Sequence, residues 1–163
     1  MHYDIKDKYF SILKRKKWIF AFENVMTVQF VAAISEFDQV LEEDKNKNRM
    51  RETLDLFENI VNNPYFKGTN VILLLNKIDI PKEKLEAGKR ISQYFPEFQG
   101  PDGNYEAAVE FFRDELINLD HGEVRGRDIF VHETCMVDEQ NIRVVDKMIQ
   151  TTIFNEILKS ENV

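Results

Sequence analysis

The stretch that most constrains this chain reads Val71-Ile-Leu-Leu-Leu-Asn-Lys-Ile-Asp79. Its five leading apolar residues, rich in β-formers, describe a strand buried on both faces, and such strands belong to parallel sheets covered by helices. The polar tetrad starts where the strand should stop. Open α/β sheets bind ligands in the crevice beyond the carboxyl ends of their strands, so Asn76, Lys77 and Asp79 are expected at a site there. Their chemistry suits a guanine base. The Asp79 carboxylate can accept from guanine N1 and N2, the Asn76 amide can reach the ring edge, and the Lys77 stem can lie along the ring face. Adenine offers Asp79 no such pair of donors. The alternative is a polar strand-to-loop turn that happens to carry these residues.

The rest of the chain alternates strand and helix around that stretch. Residues 25 to 35, nearly all apolar, read as a second buried strand. Met50, Leu54, Phe57 and Val61 recur at helical spacing and predict a helix over residues 49 to 62, stopped before Pro64. A short helix is expected over Pro81 to Lys89, and Tyr94 to Pro101 reads as a turn-rich loop. Tyr105, Ala108, Phe112, Leu116 and Leu119 predict a further amphipathic helix. Asp128 to Glu133 reads as a third strand, followed by a closing helix N-capped by Asp138 with Ile142, Val145, Ile149, Ile153 and Ile157 inward. The fold class is therefore α/β: a parallel sheet of about three strands with helices on both faces.

The 163 residues fit one domain with a real core. A net charge of -7 argues against nucleic acid as the main partner. The cationic run Lys14-Arg15-Lys16-Lys17 reads either as a solvated helix face or as a contact for an acidic partner surface. No apolar run approaches a transmembrane span, and Met1-His2-Tyr3-Asp4 carries no signal-peptide core. With the single Cys135 unable to form an internal disulfide, an intracellular location is expected. The scattered His2, His121 and His132 suggest no metal site.

A second motif follows the third strand: Thr134-Cys135-Met136-Val137. Neighbouring strand ends lie side by side, so this turn can meet the Asn76 to Asp79 tetrad, and its backbone amides can reach guanine O6. The thiol of Cys135 itself is expected to be structural. With this motif in place the chain resembles the α subunits of heterotrimeric G proteins. The matching segments are Arg15-Lys-Lys-Trp-Ile, Phe22-Glu-Asn-Val25, Ser35-Glu-Phe-Asp-Gln-Val-Leu-Glu-Glu-Asp44, Asn48-Arg-Met50, Asn76-Lys-Ile-Asp79, Tyr94-Phe-Pro-Glu-Phe98 and Thr134-Cys135, spread over residues 14 to 159. The resemblance implies a P-loop-NTPase-like fold, binding of GTP or GDP, and Mg²⁺ as the family's ion. By resemblance Asn76, Lys77 and Asp79 bind guanine, and Thr134, Cys135 and Met136 form the turn that supplies the O6 contact. Met136 stands where the family usually has Ala, which a backbone contact tolerates.

The departures are as informative. Nothing in the 163 residues reads as the Gly-rich phosphate loop ending Gly-Lys-Ser, the helical domain, or the Arg and Thr of the first switch, so the Mg²⁺ ligands are missing. The family's Asp-Val-Gly-Gly-Gln aligns with Asp7-Lys8-Tyr9-Phe10-Ser11, which puts Ser11 in place of the glutamine that orients the attacking water. The expectation is a partial domain, with residues 1 to 24 a divergent second-switch region and 25 to 163 the C-terminal half of the Ras-like domain. The resemblance implies a GTPase, while the phosphate loop, the arginine finger and the catalytic glutamine that would carry hydrolysis are not found in this chain.

The resemblance also names partners: the βγ dimer, a G-protein-coupled receptor and an effector. Lys17, Trp18 and Phe22 align with the second switch, although both aromatics can equally pack against the helix over 49 to 62. Ile157 and Leu158 belong to the receptor-contacting end by resemblance, and by their own chemistry are core-facing or fraying. Localisation is expected to be cytoplasmic, peripheral at the inner face of the plasma membrane through these partners. Two other readings stand beside the signal transducer: a catalytically inert module that occupies βγ, receptor or effector, and an incomplete gene product.

Overall fold

The structure, a computed structural model, describes residue 25, residues 27–122 and 127–134, and residues 143, 145–147, 149–151, 153, 154 and 158. Among these, strands β1 (Thr27–Ala33), β2 (Asn70–Asn76) and β3 (Ile129–Thr134) form one sheet in the order β1-β2-β3, with both pairs parallel. Helix α1 (Arg49–Val61) connects β1 to β2, and α2 (Asp79–Glu86) and α3 (Tyr105–Asn118) connect β2 to β3. The α/β class and the three parallel strands expected from the sequence are what the chain adopts.

β2 is central, and each of its seven residues is buried. Its side chains divide by the two-residue period of a strand. Val71, Leu73 and Leu75 join the larger core with α1 and α3, while Ile72 and Leu74 meet Val145, Phe130 and Ile149 on the other face. The described residues of the closing stretch, Val145 and Ile149 among them, are helical. Asp138, Ile142 and Ile157 lie outside the described residues.

Helix α1 starts on a cap. The Asn48 carboxamide oxygen accepts from the Met50 and Arg51 amides at 2.8 and 3.1 Å, and its NH₂ donates to Phe37 O at 2.6 Å, satisfying orphan amides of the first turn. Met50, Leu54, Phe57 and Val61 are all buried along one face. In α3 the Asn104 side chain caps Ala107 N at 2.8 Å, and Ala108, Val109, Phe112 and Leu116 turn inward.

Two expectations are corrected. The apolar run at 25 to 35 is a shorter strand, and it is not buried on both faces: Phe30 and Ala32 are inside, while Gln29 and Val31 are exposed. The reason is position, since β1 is the outermost described strand on its side of the sheet. The stretch 94 to 101 is the turn-rich loop expected, and it also feeds the core. Phe95 and Phe98 are buried in the core, with Phe95 edge-on to Phe112 at 5.0 Å between ring centres. Arg51 closes this layer from outside, over the Phe95 ring and paired with Glu97 at 2.6 Å. Helix α2 begins at Asp79, two residues before the expected Pro81. A proline is tolerated in a first turn, where its missing N–H would be unpaired in any case, and an acidic residue there complements the helix dipole.

Candidate functional site

Strand register decides which residues share the rim. Ala33, Asn76 and Thr134 are in register across the sheet, so the three strands end flush. Beyond Asn76 the chain must reverse from strand to helix within two residues, and it does so through Lys77, which adopts a left-handed backbone at φ 58°. Such a conformation costs a non-glycine residue about 1 kcal/mol or more. The turn is tied to the neighbouring strand by Ile78 N donating to Thr134 O at 3.5 Å. Asp79 then opens α2.

Asn76 is buried, and Thr134 is fully so. The Thr134 hydroxyl lies 3.4 Å from Leu75 O and donates toward Asn76 Oδ1 at 3.3 Å. This contact orients the amide: its oxygen faces β3 and its NH₂ is turned the other way. Lys77 and Asp79 are exposed. The structure thus brings Asn76, Lys77, Asp79 and Thr134 to one rim. Thr134 serves Asn76 from below through its own side chain. Cys135 and Met136 lie outside the described residues, as do Lys17, Trp18, Phe22 and Ile157. Leu158 is described and 42% exposed, which removes the core-facing alternative and leaves the others. Phe154, four residues earlier, is also exposed.

Two groups at the rim were not anticipated. The Tyr105 phenol, half-buried at the start of α3, has its pKa pushed up, first by burial and then by the carboxylates of Glu133, Glu106 and Asp79. It therefore senses the same negative field as the rim. Lys84 of α2 reaches across to the turn after β1, donating to Ser35 O at 2.8 Å and pairing with Asp38. Their roles at the rim show in no local pattern, because Glu133 and Asp79 for Tyr105, and Ser35 and Asp38 for Lys84, lie far along the chain.

The rim thus offers an oriented amide at Asn76 and exposed charged side chains at Lys77 and Asp79. Among the described residues no three His, Cys, Asp or Glu side chains gather as ligands. Nor is any helix among them long and apolar enough to cross a membrane.

The profile of the family described as G-protein alpha subunit matches residues 11–153. Guanine nucleotide-binding protein subunit alpha-15 of Homo sapiens is 42% identical over 160 residues, covering 92% of this chain and 42% of the human protein. The guanine nucleotide-binding protein subunit alpha of Sporothrix schenckii is 44% identical over 146 residues, covering 90% of this chain and 40% of that protein. A Neurospora crassa alpha-1 subunit is 43% identical over the same length, with the same coverage. The chain spans about two fifths of the length of these relatives.

Proposed function

The chain belongs to the family of G-protein alpha subunits, and from that premise we propose that its 163 residues form the base-reading part of a guanine-nucleotide signal transducer. The observation that carries the reading is the flush ending of β2 and β3, which sets the Asn76-Lys-Ile-Asp79 tetrad beside Thr134. Asp79 accepts from guanine N1–H and N2–H. The Asn76 NH₂, turned away from β3, donates to an acceptor on the ring edge, the Lys77 stem covers a ring face, and the main chain at Cys135 and Met136 donates to O6. In this reading residues 1 to 24 are the second-switch region and 25 to 163 the C-terminal half of the Ras-like domain.

The energetics set the affinity. Two charge-assisted hydrogen bonds to Asp79 of about 1.5 to 3 kcal/mol each and two neutral ones of about 0.5 to 1.5 kcal/mol each are opposed by an association cost of about 4 kcal/mol or more. The 163-residue polypeptide should therefore bind GDP or GTP with a Kd of roughly millimolar or weaker. Phosphoryl transfer needs a phosphate cradle, Mg²⁺, a charge-neutralising Arg and an oriented water, and no step of hydrolysis is assigned to these residues. NMR titration of the polypeptide with GDP and ADP tests the proposal. GDP should bind in preference to ADP, with the amides around Asn76 to Ile80 responding. Equal binding of the two refutes it, and submicromolar GDP binding refutes the energetic argument.

A partner-binding role is supported by one observation. Phe154 and Leu158 are 59% and 42% exposed at helical spacing of four, an apolar pair facing outward. This is the helix expected to meet the receptor, while the βγ dimer and effector are proposed to meet the region of Lys17, Trp18 and Phe22. Such contacts would hold the protein at the cytoplasmic face of the plasma membrane.

A further inference from the structure

Helix α2 carries Asp79 at its first residue. It is eight residues long, and its N-cap residue, Ile78, makes no side-chain hydrogen bond to the first turn. Helices this short do not stand without tertiary support. One side is seated in the core through Pro81 and Leu85. The other side is held by Lys84. Its ammonium donates to Ser35 O at 2.8 Å and pairs with Asp38, whose second carboxylate oxygen lies 3.6 Å from Lys89 Nζ. The Asp38 side chain is only 9% exposed. Ser35 and Asp38 belong to the turn leaving β1, the strand whose last residue, Ala33, is in register with Asn76.

We propose that Lys84 and Asp38 are positioning residues for base recognition: they tie the helix that carries Asp79 to the rim that carries Asn76, so that carboxylate and amide keep the separation a guanine edge requires. Asp79 and Lys84 are five positions apart on one rigid helix, about 7.5 Å along its axis. A slip at the Lys84 end is therefore passed on to Asp79. Hydrogen bonds tolerate only about 0.5 Å of variation in heavy-atom distance, so a slip of that size is enough to lose the base contact. The inference rests on the guanine reading above.

The test compares GDP with inosine diphosphate, which lacks the 2-amino group that Asp79 reads, by NMR titration of the full polypeptide. The unaltered protein should favour GDP on the order of tenfold, the effect of one charge-assisted hydrogen bond. Lys84→Met and the isosteric Asp38→Asn should each reduce that preference at least about threefold while leaving ADP binding unchanged, and Lys84→Arg should restore most of it. If Asp79→Ala abolishes the preference but Lys84→Met and Asp38→Asn retain it, the pair is merely structural and the inference is overturned, whatever happens to the melting temperature. An unaltered protein with no preference for GDP over either competitor overturns the guanine reading along with it. Should Lys84→Met fail to fold, Asp38→Asn, which keeps the side-chain shape, decides.

Discussion

Replacing Thr134 by valine deletes one hydroxyl and leaves the shape of the side chain intact. Thr134 is fully buried, and its Oγ1 lies 3.4 Å from Leu75 O and 3.3 Å from Asn76 Oδ1. A hydroxyl has one proton, so the two acceptors share one donor. Both distances exceed the usual O–H···O range of about 2.5–3.0 Å, which places the net value of the shared bond at the low end of about 0.5–1.5 kcal/mol. Removing the donor also leaves a buried acceptor short of a partner, so the expected loss of stability is about 1 kcal/mol, with a ceiling of about 3 kcal/mol. Thr134→Ser supplies the control. It keeps the hydroxyl and removes a buried methyl, again about 1 kcal/mol through lost burial and a small cavity. The two variants should have similar urea midpoints by circular dichroism. They should differ in GDP titration, because only valine removes the hydroxyl that meets the Asn76 amide. Equal weakening of GDP binding by the two variants refutes the argument that Thr134 acts through Asn76.

Gly100→Ala should destabilise the protein by about 1–3 kcal/mol, because an added Cβ would stand 2.5 Å from Phe98 Cζ and 3.2 Å from Ala107 Cβ; pairing it with Phe98→Leu should recover part of that loss in urea unfolding. The Glu97 carboxyl is held below the ordinary glutamate range, chiefly by its hydrogen bond from Arg51. Its contribution is therefore complete above the unfolded-state pKa and is lost as pH falls through the lower folded value, so Glu97→Gln should flatten that part of the acid unfolding curve, by under about 1 kcal/mol since the pair is partly exposed. No described strand pairs with the outer edge of β1. Edges of this kind recruit other chains, so analytical ultracentrifugation should find the 163-residue polypeptide oligomeric, with Val31→Lys shifting it toward monomer. A cooperative, monomeric melt of the unaltered chain would count against this.

What could be read in the residues themselves was everything that depends on local period. The buried run Val71 to Leu75 specified a central parallel strand, the spacing of Met50, Leu54, Phe57 and Val61 specified one face of α1, and the tetrad after the strand placed Asn76, Lys77 and Asp79 at the rim. These are properties of a few consecutive side chains, and hydrophobic periodicity reports them directly. The exposed half of β1 escaped the same logic, because an apolar run does not say whether its strand lies at the centre or the edge of a sheet. Phe95 and Phe98 were hidden by the prolines and glycine around them, which mark turns but not the direction their aromatic neighbours face. The contacts that shape the site were less legible still. Lys84 meets Asp38 across 46 positions and Ser35 across 49, and Thr134 meets Asn76 across 58. No local pattern encodes such partners: only the stacking of parallel strands, each returning through a helix to the same end of the sheet, brings them to hydrogen-bonding distance.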